Sequence, residues 1–229
     1  MADTHILRRF GSGMEAVSGQ LTRMGELAQA QLAAALQLLR EMDEAQARDI
    51  IGEDATLNQW ELQVNDDIIA LIARHNPMAD DLRRLVVALK IANMLERMGD
   101  YAKSIAKRAA RARPADANDK ALLLVQQMGD KVMQQVTQIF TAYQSEDADL
   151  ALKVWHADSE VDALLDDLFT VALSNIAAQK GADSTVYAHL LFVAKNLERV
   201  GDYTTNIAEE VYYLVHGQLL VRAVRKSSA

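Results

Sequence analysis

The residues of this chain best suited to chemistry are carboxylates in pairs. Glu96 and Asp100 stand four apart, as do Glu198 and Asp202. Each pair lies inside a stretch that occurs twice, LERMGDYAKSIA at 95–106 and LERVGDYTTNIA at 197–208. Leu95, Glu96, Arg97, Gly99, Asp100, Tyr101, Ile105 and Ala106 recur as Leu197, Glu198, Arg199, Gly201, Asp202, Tyr203, Ile207 and Ala208. That makes eight identities in twelve positions at a constant offset of 102 residues. On a helix, side chains four apart stack one turn above the other on one face. Carboxylates so placed repel by roughly a few tenths of a kcal/mol per pair. A multivalent cation removes that cost and gains ligands. With no cysteine in the chain, the donors are oxygens, which suit hard or borderline divalent or trivalent ions such as Mg²⁺, Mn²⁺, Ca²⁺, iron or Zn²⁺.

The pairs belong to longer polar files. After Glu198 and Asp202, Asn206 and Glu209 continue the line. Asp54, Asn58, Glu61 and Asn65 fall within about 60° of one another at the helical turn angle, and Asp158, Asp162 and Asp166 step down a third segment. A solvated helix face is the plain alternative for any one acidic pair, because charged files usually face water. Recurrence at equivalent positions, with matching files on neighbouring segments, brings a metal site level with that alternative. The halves differ, however. Lys107 stands where the second half has Glu209, and Lys103 lies on the first file, so these lysines could neutralise Glu96 and Asp100 themselves. The second half is therefore the stronger metal candidate.

Gly99 and Gly201 sit mid-motif, where glycine costs a helix about 1 kcal/mol relative to alanine. Their recurrence predicts a close helix approach beside the acidic pair. Arg97 and Arg199 could bind an anion, but pairing with a carboxylate is the commoner fate of such arginines. His5, His75, His156, His189 and His216 show no ligand spacing, and no Glu-x-x-His di-iron signature of ferritin-like bundles is present. There is no glycine-rich phosphate loop, nucleophile elbow or His-Asp-Ser set. Trp60 and Trp155 read as packing residues.

The elements that must carry these files are long helices. Leu21, Met24, Leu27, Leu32, Leu36 and Leu39 recur at helical spacing in a first helix from about His5 to Glu41. Asp43 to Ala47 reads as a turn and restart, and a second helix ends at Asn76-Pro77, since the residue before proline disfavours the helical region. A third runs from near Ala79, with Asp80 and Asp81 at its positive end, to about Arg113. Pro114 and the polar ADAND stretch form a linker. Three further helices are predicted at about Asp119–Tyr143, Asp149–Ala178 and Ser184–His216, broken by Ser145-Glu146-Asp147 and Lys180-Gly181 and stopped by Gly217. No stretch alternates like a strand. The expectation is an all-α protein of six long helices in two tandem three-helix bundles, residues 1–113 and 114–229, related by pseudo-two-fold symmetry. At roughly 100° per residue, Val87, Ile91, Leu95, Met98, Ala102 and Ile105 form the core stripe of the third helix. Val193, Leu197, Val200, Thr204 and Ile207 form that of the sixth. Both acidic pairs fall nearly opposite, which predicts a site on an open, solvent-accessible bundle face.

Composition narrows the classes. A net charge of −8 and a pI near 5.1 argue against nucleic acid as a partner, which calls for a basic face. The N-terminus lacks an apolar signal core and no run approaches the ~20 apolar residues of a membrane span. A cytoplasmic protein is expected.

The doubled LER-x-GDY-x-x-x-IA, the segments NPMADDLRRLVVALKIANMLERMGDYAKSIA and HLLFVAKNLERVGDYTTNIAEEVYYLVHG, and TRMGELAQAQLAAAL near the start closely resemble the PhoU family of bacterial phosphate-transport regulators. The likeness spans nearly the whole chain. It implies two three-helix bundles whose Glu/Asp-x-x-x-Asp motifs bind metal clusters at the bundle surface, here Glu96, Asp100, Glu198 and Asp202, faced by Asp54, Glu61, Asp158, Asp162 and Asp166. It also implies a non-catalytic negative regulator of phosphate uptake and of the phosphate-starvation response. Its partners would be the ATPase subunit of the phosphate ABC transporter and a sensor histidine kinase, and it would lie peripherally at the inner membrane through them. Ser104, where the family often has Asn, Asn58, and the AAQKGAD loop depart from the family pattern. A metal-dependent phosphohydrolase and a metal-free helical scaffold are the competing readings, and a homodimer is left open.

Overall fold

The computed structural model describes residues 2–41, 54–109, 111–112, 119–178 and 182–220. Among them the chain forms six helices and no strand: α1 (Ala2–Glu41), α2 (Asp54–His75), α3 (Ala79–Ala109), α4 (Lys120–Ser145), α5 (Ala148–Ala178) and α6 (Ala182–His216). Helices α1, α2 and α3 pack on one another as one bundle and α4, α5 and α6 as the second. The two bundles join through α3 against α6 and α1 against α4. The expected Asp43–Ala47 turn, the Pro114 linker with the 113/114 boundary, and the Lys180-Gly181 break lie outside the described residues.

The helical stripes meet in the core as their spacing demands. Val87, Ile91, Leu95, Met98, Ala102 and Ile105 of α3 are all buried, as are Val193, Leu197, Val200, Thr204 and Ile207 of α6. Burying each large aliphatic side chain contributes about 1.5–3 kcal/mol, which is what holds helices of this length together.

Local chemistry sets the ends. Asn76 turns the chain out of α2 at a φ of 47°, and Asp80 and Asp81 occupy the first turn of α3. Helix α3 stops at Ala109 rather than Arg113, because Arg111 and Ala112 donate to the carbonyls of Arg108 and Ala109 in a tighter turn. The α4–α5 break is built from Glu146, left-handed at φ 50°, whose N–H caps the carbonyls of Ala142 and Tyr143. Asp147 follows with a carboxylate accepting from Leu150 N at 2.9 Å. Gly217 closes α6 at φ 67°, the left-handed cap that glycine adopts without Cβ strain.

The bundles are related in detail as well as in outline. A methyl group on Gly25 of α1 would stand 2.1 Å from the ring of Phe140 of α4, and one on Gly129 of α4 would stand 2.5 Å from Leu36 of α1. Both the glycines and the residues that fill against them are 104 positions apart, so the α1–α4 contact is one arrangement used twice. Where α3 meets α6, Lys90 pairs with Glu210 at 2.7 Å and Arg108 lies over the Phe192 ring at 4.2 Å. The 102-residue offset maps Lys90 onto Phe192 and Arg108 onto Glu210. One end of the interface is thus an ion pair and the other a cation–π contact.

Candidate metal centre

Helix α6 touches α4, α5 and α3. Its buried arc is consequently wider than the single stripe that a two-neighbour helix would show, and this corrects the expected position of the acidic file. Glu198 does not lie on an open face. Its side chain is only 15% exposed while that of Asp202 is 40% exposed, so the pair descends into the α5–α6 groove. On α3, Glu96 and Asp100 repeat this with 15% and 42%. The outer face between each pair belongs to the arginines. Arg199 reaches Asp202 at 3.3 Å and Glu198 at 3.8 Å, and Arg97 reaches Glu96 and Asp100, each at 3.6 Å. Each arginine thus pairs with the carboxylates of its own motif. Lys195 adds a second cation to Glu198.

Asp158 of α5 faces the same groove. Burial, and then the neighbouring charges of Asp162, Asp202 and Glu198, push its carboxyl up to about 6. Asp202 is raised too, by burial first and then by Glu198, with Arg199 and Lys195 opposing. These couplings bring Asp158, Asp162, Glu198 and Asp202 into one electrostatic cluster that holds more negative charge than its cations relieve. Asp166 is exposed a turn beyond it, and Asn206 is exposed on α6. Glu209 leaves the file, since it accepts from the indole N–H of Trp155 at 3.3 Å.

The first bundle is arranged differently. Asp54 opens α2, but its side chain lies outside the described residues, and Asn58 is exposed. Glu61 accepts from Asn65 Nδ2 at 2.7 Å. At the level of Gly99 the α2 residue is Leu57, whose Cδ1 lies 2.4 Å from the point a glycine Cβ would occupy. Close approach at Gly99 is therefore as predicted. At Gly201 it is not, because a Cβ there would meet Asp158 Oδ1 and Gln135 Oε1 at 3.5 Å, ordinary contact. Gly201 instead keeps a small hollow beside oxygen atoms.

Gln135 of α4 and Gln31 of α1 are site residues that the acidic motifs do not reveal. Each is 3% exposed. Gln135 Oε1, both amide atoms of Gln31, and Glu198 Oε2 are buried without a hydrogen-bond partner. Their signal in the sequence is a second repeat, Met24-Gly25 with Gln31 and Met128-Gly129 with Gln135, at an offset of 104. Among the described residues no three His, Cys, Asp or Glu side chains gather closely enough to hold one ion as they stand. The second-repeat donors nevertheless fit a hard cation in kind: carboxylates with unrelieved charge, a buried orphan oxygen, and a hollow left by a glycine.

Comparison with known proteins agrees with this architecture. A family model described as the PhoU domain matches residues 21–109 and again 125–211. The chain is 36% identical over 218 residues to a phosphate-specific transport system accessory protein PhoU homolog of Caulobacter vibrioides, covering 94% of each. It is 34% identical over 224 residues to the homolog of Zymomonas mobilis, covering 96% of this chain and 92% of the other. Among solved structures, PhoU from Pseudomonas aeruginosa superposes with a TM-score of 0.86 at 31% identity, over 91% of this chain and all of the other. The phosphate transport system regulatory protein PhoU of Streptococcus pneumoniae gives 0.82 at 25% identity, over 92% and 99%.

Proposed function

The chain belongs to the PhoU family, and from that premise we propose that it acts in the regulation of phosphate transport as a non-catalytic adaptor. Its partners on this reading are the ATPase subunit of a phosphate ABC transporter and a sensor histidine kinase, whose starvation signal it holds off when phosphate is plentiful. The relatives are named as accessory and regulatory proteins, which supports a role without catalysis. Among the described residues no helix is long and apolar enough to cross a membrane, so its place at a transporter would come from partner contacts.

The observation that carries the metal part of the proposal is the second-repeat cluster. Glu198, with a buried oxygen that accepts no hydrogen bond, and Asp158 and Asp202, with proton affinities raised by burial and mutual repulsion, make a groove that gains from a cation. A Mg²⁺, Mn²⁺, Ca²⁺, iron or Zn²⁺ ion held there would supply charge neutralisation and tie α5 to α6. Asp162, Asp166 and Asn206 lie outward of it, and Glu96, Asp100, Asp54 and Glu61 form the weaker first-repeat counterpart.

Two measurements test the proposal. Metal content after dialysis against a weak chelator is expected to fall in Glu198→Ala/Asp202→Ala relative to the unaltered chain; equal content in both would remove the metal from the reading. Deletion of the gene is expected to release the phosphate-starvation response in phosphate-rich medium, and complementation to restore repression. Unchanged repression in the deletion strain would sink the regulatory role. Phosphatase activity with added Mn²⁺ or Mg²⁺ would instead favour a phosphohydrolase.

A further inference from the structure

We infer that the side-chain carbonyl of Gln135 is the inner, neutral ligand of a hard cation held by Asp158, Glu198 and Asp202. This rests on the metal reading above and adds a residue from a third helix to it.

The observations are geometric. Gln135 comes from α4, on the core side of the groove that α5 and α6 form. It is 3% exposed, and its Oε1 has no hydrogen-bond partner. That oxygen and Asp158 Oδ1 each lie 3.5 Å from the point where a Cβ of Gly201 would stand, so they border one hollow. Glu198 Oε2, one turn before Asp202, is also buried and accepts no hydrogen bond, although Arg199 Nε pairs with it at 3.8 Å. Each of these atoms only accepts hydrogen bonds. An orphaned acceptor costs stability when buried, and that of Gln135 borders a hollow it shares with a carboxylate oxygen. A cation satisfies them together, which a single hydrogen bond cannot do.

A neutral oxygen also suits the charge balance. Three carboxylates already exceed the charge of a divalent ion, and a fourth would add repulsion to groups that repel now. Amide carbonyls are ordinary ligands of hard cations, and this one adds a donor without adding charge. The first repeat serves as an internal comparison. Gln31 occupies the matching place 104 residues earlier, but there Leu57 Cδ1 comes within 2.4 Å of the Gly99 Cβ point, and the three nearest atoms belong to Leu57 and Gln31 rather than to a carboxylate. The same glutamine is retained where the hollow is closed, so the ligand role is assigned to Gln135 alone.

The test is Mn²⁺ binding to the full chain, stripped with chelator and followed by loss of the free-ion resonance signal. Gln135→Met keeps the length and burial of the side chain but removes the carbonyl. It is expected to weaken Mn²⁺ binding about 10- to 100-fold, with urea unfolding of the metal-free protein no less stable than before. Gln135→Glu restores an oxygen but adds a fourth negative charge, and is expected to bind more tightly than Gln135→Met and no more tightly than the unaltered chain. Unchanged binding in Gln135→Met overturns the assignment. So does equal loss in Gln135→Glu and Gln135→Met, which would mean that the amide works as a donor holding Asp158. If Glu198→Ala/Asp202→Ala binds Mn²⁺ as the unaltered chain does, the metal reading of this groove fails and the assignment with it.

Discussion

Tyr101 and Tyr203, 102 residues apart, meet with ring centroids 6.0 Å apart and planes inclined by 37°. The pseudo-two-fold relation maps each onto the other, so the two motif-bearing helices touch through equivalent residues. The contact brings the two motif-bearing segments together, one per bundle, across the α3–α6 seam. Burial and the opposing phenol hold the Tyr203 hydroxyl above its ordinary range.

This seam should be measurable as a coupling. Aromatic pairs contribute about 0.5–1.5 kcal/mol beyond the area they bury. A double-mutant cycle on Tyr101→Leu and Tyr203→Leu, read by urea unfolding, is expected to show a coupling energy in that range. Additive losses would mean that the two rings are neighbours without an interaction.

The motif glycines should answer differently to alanine. At Gly99 the new methyl would press on Leu57 at 2.4 Å and Gln31 at 3.0 Å, whereas at Gly201 its nearest neighbours are at 3.5 Å. Overpacking a tight core costs typically about 1–3 kcal/mol, and mid-helix alanine returns about 1 kcal/mol relative to glycine. In metal-free protein, Gly201→Ala is expected to be neutral or stabilising and Gly99→Ala destabilising. The reverse order in thermal unfolding would show that the two hollows have been wrongly distinguished.

That difference marks where sequence stops being enough. The 3.6-residue period placed Ile91, Leu95 and Met98 in the core correctly, because a buried stripe is a property of one helix. The doubled motif showed the symmetry, because a repeat is a property of one chain. How far Glu198 sinks depends on α6 having three neighbours, and no helical wheel counts neighbours. Leu57 and Val161 occupy matching places on α2 and α5, but α2 and α5 share too few identities for the match to be read. Gln31 and Gln135 were visible as letters 104 apart; that the Gln31 amide and the Gln135 carbonyl are buried without hydrogen-bond partners only packing could show. For the same reason the open face expected for the acidic pairs fits Asp100 and Asp202, 42% and 40% exposed, but not Glu96 and Glu198, each 15% exposed.

Gln31 should be dispensable for stability. Both its amide oxygen and nitrogen are buried without partners, and an unpaired buried amide costs about 1–3 kcal/mol. Replacing it by an apolar side chain of equal length removes that cost and keeps the volume. Gln31→Met is expected to raise the urea midpoint by an amount equivalent to about 1 kcal/mol with the m-value unchanged. A lower midpoint would mean that the amide is bonded in solution.

Asp158 carries the pH dependence. Its folded carboxyl titrates near 6, above the ordinary aspartate value of 3.8, because of burial and the charges of Asp162, Asp202 and Glu198. The native state therefore keeps this proton to higher pH than the unfolded chain does. The group's contribution favours folding at low pH and is lost as pH rises through about 6. Asparagine, neutral throughout, does not lose it. In chelator-treated protein, Asp158→Asn and the unaltered chain are expected to be equally stable below about pH 4, with the variant more stable above about pH 6. Asp158 is partly solvated, and screening reduces the gain to on the order of 1 kcal/mol. Added Mn²⁺ should reverse the order at neutral pH, because the ion stabilises the carboxylate that asparagine lacks. A stability difference that stays constant from pH 4 to 8 would show that Asp158 is an ordinary surface carboxylate. The groove would then have no excess charge for a cation to neutralise.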